Sequence, residues 1–211
     1  VIRRIDPVRI WEEEGRRIYD CGENISGYAV IRTGAQSGSE IVVRHAEEYD
    51  TQNHRLNFDS TGGEKQVQTD RYLCADRSFV CHPRFCWHGF RYFEVSGDAE
   101  VLEVRVIHAD VEVTSEFSCC NPTLNWLYEA YLRSQLDNLH AGVPSDCPHR
   151  ERLGYTGDGQ ITSAAAMLCL DMRSFYRKWM EDILDCQDLV SGHVQHTAPF
   201  YGGGGGPGGW G

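Results

Sequence analysis

The sequence predicts a chain of two textures, an antiparallel beta-sandwich followed by helices, and three observations carry that prediction. Up to about Asp110, short segments rich in Val, Ile, Tyr and Phe are separated by Gly, Ser, Asp and Asn. After Phe117 the apolar period changes from that of strands to that of helices. With 211 residues, 41% of them hydrophobic, the chain has material for one large domain or two modest ones. The change of texture divides it into residues 1–112, the sandwich, and residues 113–211, the helical part.

The strand segments are "GYAVIRT", "SEIVVRHAEEY", "DRYLCA", "FRYFEVSG" and "EVLEVRVIHADVEV". In the last of these, charged residues alternate with Val101, Leu102, Val104 and Val106, which implies one buried and one wet face. The first helix is announced by Asn121, a good N-cap, and Pro122, a good first helical residue. Leu124, Leu127, Tyr128, Tyr131, Leu132, Gln135 and Leu139 then mark one face of about 17 residues. A second helix is expected from Asp158 or Gly159 through "QITSAAAMLCL". A third is expected from Asp171 through "MRSFYRKWMEDILDC", with Phe175, Tyr176, Trp179, Met180 and Ile183 on its apolar side. The closing "PFYGGGGGPGGWG" reads as a tight glycine loop that presents Trp210, inside a helical domain that the chain does not complete.

A net charge of -11 and a pI near 5.2 exclude a nucleic-acid surface, because phosphate binding needs clustered Lys and Arg. The longest apolar runs fall short of a membrane span, and the first residues lack the apolar core of a signal peptide. Nine cysteines at irregular spacings, with no CxxC pair, predict mostly reduced, buried thiols and no metal site, which favours a cytoplasmic location. His88 in "WHGFRY" reads as a hydrogen-bonded packing residue of the sandwich, and Glu181 as a solvated or capping charge of the third helix.

The chemistry concentrates in "DCPHRERLGYTGDGQ", residues 146–160. Its carboxylates, Asp146, Glu151 and Asp158, converge on one pocket only if the loop wraps around it. Paired carboxylates are what glycosidic cleavage requires: one protonates the leaving oxygen and the other activates water or attacks carbon. The acid must hold a raised pKa, and Arg150 and Arg152 beside Glu151 would push the other way. The spacing equally fits an ion-paired loop in which Asp158 is an N-cap, Asp146 forms an Asx-turn and Glu151 pairs with an arginine.

The same stretch resembles the signature of the bacterial alpha-L-rhamnosidases of glycoside hydrolase family 78, Asp-Cys-Pro-Gln-Arg-Asp-Glu-Arg-Leu-Gly-Trp-Thr-Gly-Asp. "YDCGENISGYAVIRT" with "VRHAEEY", and "HPRFCWHGFRYFEVSG", are similar to two further segments of that family, in the same order. The resemblance implies that the helices open an incomplete (alpha/alpha)6 barrel and that the activity is inverting release of terminal alpha-L-rhamnose from glycosides or polysaccharides. It implies Glu151 as the general acid, Asp146, Asp158 and Arg150 as sugar-contacting groups, Tyr155 as an aromatic wall where the family has Trp, and Trp210 as a second aromatic. It implies no cofactor, places the general base in a downstream loop beyond residue 211, and leaves a homodimeric full-length protein open. The 211 residues alone are expected to show little or no hydrolysis. The loop is one residue shorter than the family's between Arg150 and Glu151 and has His149 for Gln. Two alternatives stand beside this reading: a carbohydrate-binding protein without turnover, and an (alpha/alpha)6 glycosidase for another sugar.

Overall fold

A computed structural model describes residues 1–34 and 36–202. They form two compact units, one from Val1 to Ile107 and one beginning at His108.

In the first unit, eight strands of the described residues make one antiparallel sheet. They are β1 (Arg3–Ile5), β2 (Arg9–Glu13), β3 (Arg16–Thr33), β4 (Glu40–Ala46), β7 (Gln68–Leu73), β8 (Val80–Cys81), β9 (His88–Ser96) and β10 (Ala99–Val106), while β5 (Glu48–Asp50) and β6 (Arg55–Asn57) pair separately. The path runs β1-β10-β3-β9-β4-β7, with β2 and β8 also on β3. Only "GYAVIRT" of the 18-residue β3 was expected from sequence. Its earlier half pairs with β2 along Arg16–Asp20 and its later half with β10 from Gly27 onward. The register against β9 shifts between Asp20 and Ile25, where Gly22 has φ 79°. A bulge at a glycine bends a strand, so one long strand serves both halves of a sandwich-like unit. Conversely, "EVLEVRVIHADVEV" stops being a strand at Val106.

Both faces of the sheet are covered, as period two demands. Tyr19, Ile31, Ile41, Val43, Phe90, Phe93, Val95 and Val104 pack on one side, with the Tyr19 and Phe93 rings stacked at 4.6 Å. Ile18, Ala46, Leu56 and Phe58 pack on the other. Each fully buried side chain of this size contributes about 1.5–3 kcal/mol. All nine cysteines are free, but only Cys21 and Cys74 are fully buried, fewer than the sequence suggested.

The second unit holds α1 (Pro122–Asp137), α2 (Thr156–Cys169) and α3 (Arg173–Asp185). The Asn121 side chain accepts from the Thr123 N–H, the capping bond its residue type predicted. α2 starts two residues earlier than expected, because Tyr155 rather than Asp158 takes the N-cap position. α3 starts two residues later, at Arg173, since Leu170 and Asp171 pair with the 112–113 backbone. Leu139, Ala166, Leu170, Met172 and Phe175 form its core. Leu124, Leu127 and Met180 of the expected apolar faces remain about half exposed, at 45%, 49% and 45%. Glu181 is exposed and within ion-pair reach of Arg177, as a solvated helix charge should be. No helix among the described residues is long and apolar enough to cross a membrane.

Candidate active site

The connection from α1 to α2 begins with a small hairpin, β11 (Leu139–His140) and β12 (Val143–Pro144). At its tip Ala141 and Gly142 have φ 53° and 75°, the pair of positive values that a type I′ turn requires. Asp146 follows and closes the next turn by itself. Its N–H donates to the Leu153 carbonyl at 3.0 Å, and its Oδ1 accepts from the Leu153 N–H at 3.0 Å. Residues 147–152 are thereby drawn into a closed loop that reaches Leu153 through Arg152, a non-glycine residue at φ 56°.

That loop sets Glu151 beside Asp146, with Cys147 between them: one donor atom from each lies within 4.8 Å of the other two. The Cys147 Sγ stands 3.2 Å from Asp146 Oδ2 and 3.3 Å from Glu151 Oε2. Arg150 Nε donates to Glu151 Oε2 at 2.7 Å. The shielding expected of this loop falls on Asp146 rather than Glu151, whose residue is exposed. The charges follow suit. The Arg150 hydrogen bond holds Glu151 down at about 2, against the rise that a resting proton donor would need. Burial is the largest cause that pushes Asp146 up, and the neighbouring Glu151 adds to it. A hydrogen bond links the two carboxyls. Burial of Asp146 and the Arg150 contact on Glu151 thus push the two neighbouring carboxyls in opposite directions.

Asp158 sits in the first turn of α2 without capping it, so the N-cap alternative for this residue fails. With Asp146, Tyr131, Ser134 and Thr162 it lines a cleft of about 220 Å³. The Tyr155 hydroxyl is pushed up by partial burial first and then by the charges of Asp146, Glu151 and Asp158 together. Trp210 lies outside the described residues.

Two glycines of the motif are explained by close approach. A Cβ at Gly159 would stand 2.1 Å from the Trp179 ring, and one at Gly154 would stand 2.3 Å from the Ala198 carbonyl oxygen. Trp179 Nε1 donates to that same carbonyl at 3.0 Å. Thr156 N–H donates to the His196 carbonyl, and Ala198 N–H to that of Gly154. Residues 196–198 thus brace the motif as a short added strand. Sequence reading missed this brace, because three residues carry no period, and it missed the Cys147 thiol between the carboxylates, although Cys147 adjoins Asp146 in the chain.

Residues 11–114 match the bacterial alpha-L-rhamnosidase concanavalin-like domain, and residues 112–211 match the bacterial alpha-L-rhamnosidase 6 hairpin glycosidase domain. The chain belongs to the bacterial alpha-L-rhamnosidases. It is 32% identical to an alpha-L-rhamnosidase of Formosa agariphila over 89% of its length, and 32% identical to one of Streptomyces avermitilis over all of it. Among solved structures, the alpha-L-rhamnosidase from Dictyoglumus thermophilum aligns with a TM-score of 0.84 at 34% identity over 93% of this chain. The Streptomyces avermitilis alpha-L-rhamnosidase complexed with L-rhamnose aligns at 0.85 and 29% over 96%. The chain spans about a fifth of the length of these relatives: 20% and 22% of the two sequences, 23% and 20% of the two structures. In family terms, the sheet unit is the concanavalin-like domain and the helices open the six-hairpin (alpha/alpha)6 barrel.

Proposed function

We propose that this chain carries the proton donor and the sugar-holding side chains of an inverting alpha-L-rhamnosidase that releases terminal alpha-L-rhamnose from glycosides or polysaccharides. The observation that carries the reading is the closed loop that sets Glu151 beside Asp146, in a chain of this family. Glu151 protonates the glycosidic oxygen as its bond to the anomeric carbon breaks. Asp146 and Asp158 hold rhamnose hydroxyls, Tyr155 walls the apolar face of the ring, and Trp210 supplies a second aromatic surface.

Glu151 is ionised in the sugar-free site, so it must first take up a proton. A substrate hydroxyl that draws the Arg150 guanidinium away removes the interaction that holds Glu151 low and lets its carboxyl be protonated. Asp146 cannot be the water-activating partner. Inverting pairs stand about 6.5–9.5 Å apart, whereas these carboxyls touch, so the base comes from another loop. In the full-length gene product, hydrolysis of an aryl alpha-L-rhamnoside should yield beta-L-rhamnose as the first-formed anomer by NMR, and Glu151→Gln should abolish turnover. A retained alpha configuration, or full activity of that variant, overturns the reading. The resting ion pair of Glu151 favours one rival, sugar binding without turnover; it predicts rhamnose binding by calorimetry with no product from the wild-type protein.

A further inference from the structure

We propose that a cleft of the sheet unit is a binding site for a saccharide that carries a carboxylate. The cleft encloses about 470 Å³ over a floor of Leu56 and Phe58. Three guanidinium groups, those of Arg16, Arg44 and Arg55, line it in a protein whose net charge is -11. A space of that size takes a sugar unit, whereas a bare inorganic anion leaves most of it unfilled.

The surroundings of Arg44 aim it at the cleft. Its guanidinium carbon lies 5.0 Å from the centroid of the Phe58 ring, and its Nε and Nη2 both meet Glu94, which is 2% exposed. A guanidinium donates along its edges, so an aromatic face below and a buried carboxylate on one edge leave the Nη1 edge for the cleft. Arg16 approaches the same buried carboxylate, with its Nη1 3.4 Å from Glu94 Oε2. The Arg55 side chain forms no hydrogen bond or ion pair among the described residues. Its cross-strand neighbour Asp50 accepts from the N–H groups of Gln52 and Asn53 and from the Asn53 side chain instead.

Two of the protein's own carboxylates stand where a ligand's carboxylate belongs. Glu64 Oε2 lies 3.4 Å from Arg44 Nη1, and Glu14 Oε2 lies 3.0 Å from Arg16 Nη2. Their side chains are 64% and 84% exposed, and ion pairs this open to water contribute little. A planar carboxylate that meets a guanidinium with both oxygens makes the stronger, bidentate contact and displaces them. With Glu14 and Glu64 displaced, three guanidiniums face one buried carboxylate, so the cleft holds an excess of positive charge. The ring hydroxyls of the saccharide then meet the remaining guanidinium N–H groups and the Asn53 amide, which also lines the cleft.

The test is calorimetry on the full-length gene product with sodium glucuronate and galacturonate as probes, and glucose and acetate as controls. At least one uronate should bind one per chain, more weakly as salt is added, and at least tenfold more tightly than either control. Arg55→Gln should weaken that binding on the order of 10-fold. Glu64→Gln removes the internal competitor and should tighten it about 2- to 5-fold. Both side chains are exposed, so both variants should keep the wild-type melting temperature and the hydrolysis of an aryl rhamnoside. Absence of binding by either uronate, equal binding of glucose or acetate, indifference to Arg55→Gln, or weaker binding by Glu64→Gln would each overturn the proposal.

Discussion

Two clusters, one in each unit, show opposite ways of gathering reactive side chains. Asp146, Cys147 and Glu151 come from a single six-residue stretch and are gathered by its own backbone, which Asp146 ties to Leu153. His45, Asp70 and His88 come from three strands and are gathered only by their pairing. The first cluster is open to water at Glu151 and Arg150 and carries a net charge; the second is dry, and its unpaired groups are ring nitrogens. The difference teaches that near neighbours can be gathered by a loop's own backbone, whereas residues of separate strands meet only through sheet pairing.

The largest effect should come from breaking the open cluster. In the full-length gene product, Glu151→Gln should lower hydrolysis on the order of 10²–10⁴-fold. The loss should be greater for an alkyl than for a nitrophenyl rhamnoside, because a poor leaving group needs the proton more; equal losses for both would argue against a donor role. Next, the scaffold of each cluster can be compared. Gly159→Ala puts a methyl into the Trp179 ring and should destabilise the helical unit by about 1–3 kcal/mol in urea unfolding. Gln68→Leu is its counterpart in the sheet unit. The Gln68 amide donates to the Gly89 carbonyl at 2.7 Å and accepts from the Gly89 N–H at 2.9 Å, standing in for a strand. Its loss leaves buried backbone groups unpaired and should cost about 1–3 kcal/mol; an unchanged midpoint would show that water replaces it.

The smallest effect sharpens the electrostatics. Glu151 is depressed to about 2, so its contribution to stability is present above the ordinary carboxylate range and is lost as pH falls toward 2. The contribution is slight because the pair is exposed. Arg150→Leu removes the largest cause of the depression. The Glu151 carboxyl should then titrate at higher pH by carbon NMR, and the alkaline limb of the hydrolysis profile should move upward, since a proton donor must be protonated to act.

The crowding of charged groups in this loop was legible in the sequence because its members are neighbours in the chain. Asn121 and Pro122 announced α1 for the same reason: a cap acts on the N–H groups just after it. The sandwich-then-helix order was legible from the change of period. The sequence did not show that the two carboxyls are pushed in opposite directions. That depends on burial of Asp146 and on the reach of Arg150, both set by the closed loop. Nor did it show the brace at residues 196–198, the bent course of β3, or the His45–Asp70–His88 cluster, whose spacing of 25 and 18 residues matches no local motif.

By itself, then, the sequence determined which groups are present, where the period changes, and which local backbone contacts bring near neighbours together, since these act over a few residues. Tertiary structure alone decided the opposite shifts of the Asp146 and Glu151 carboxyls and the meeting of two histidines with an aspartate. Burial and strand pairing are properties of residues far apart in the chain, and the electrostatics of a group follow from what surrounds it in space.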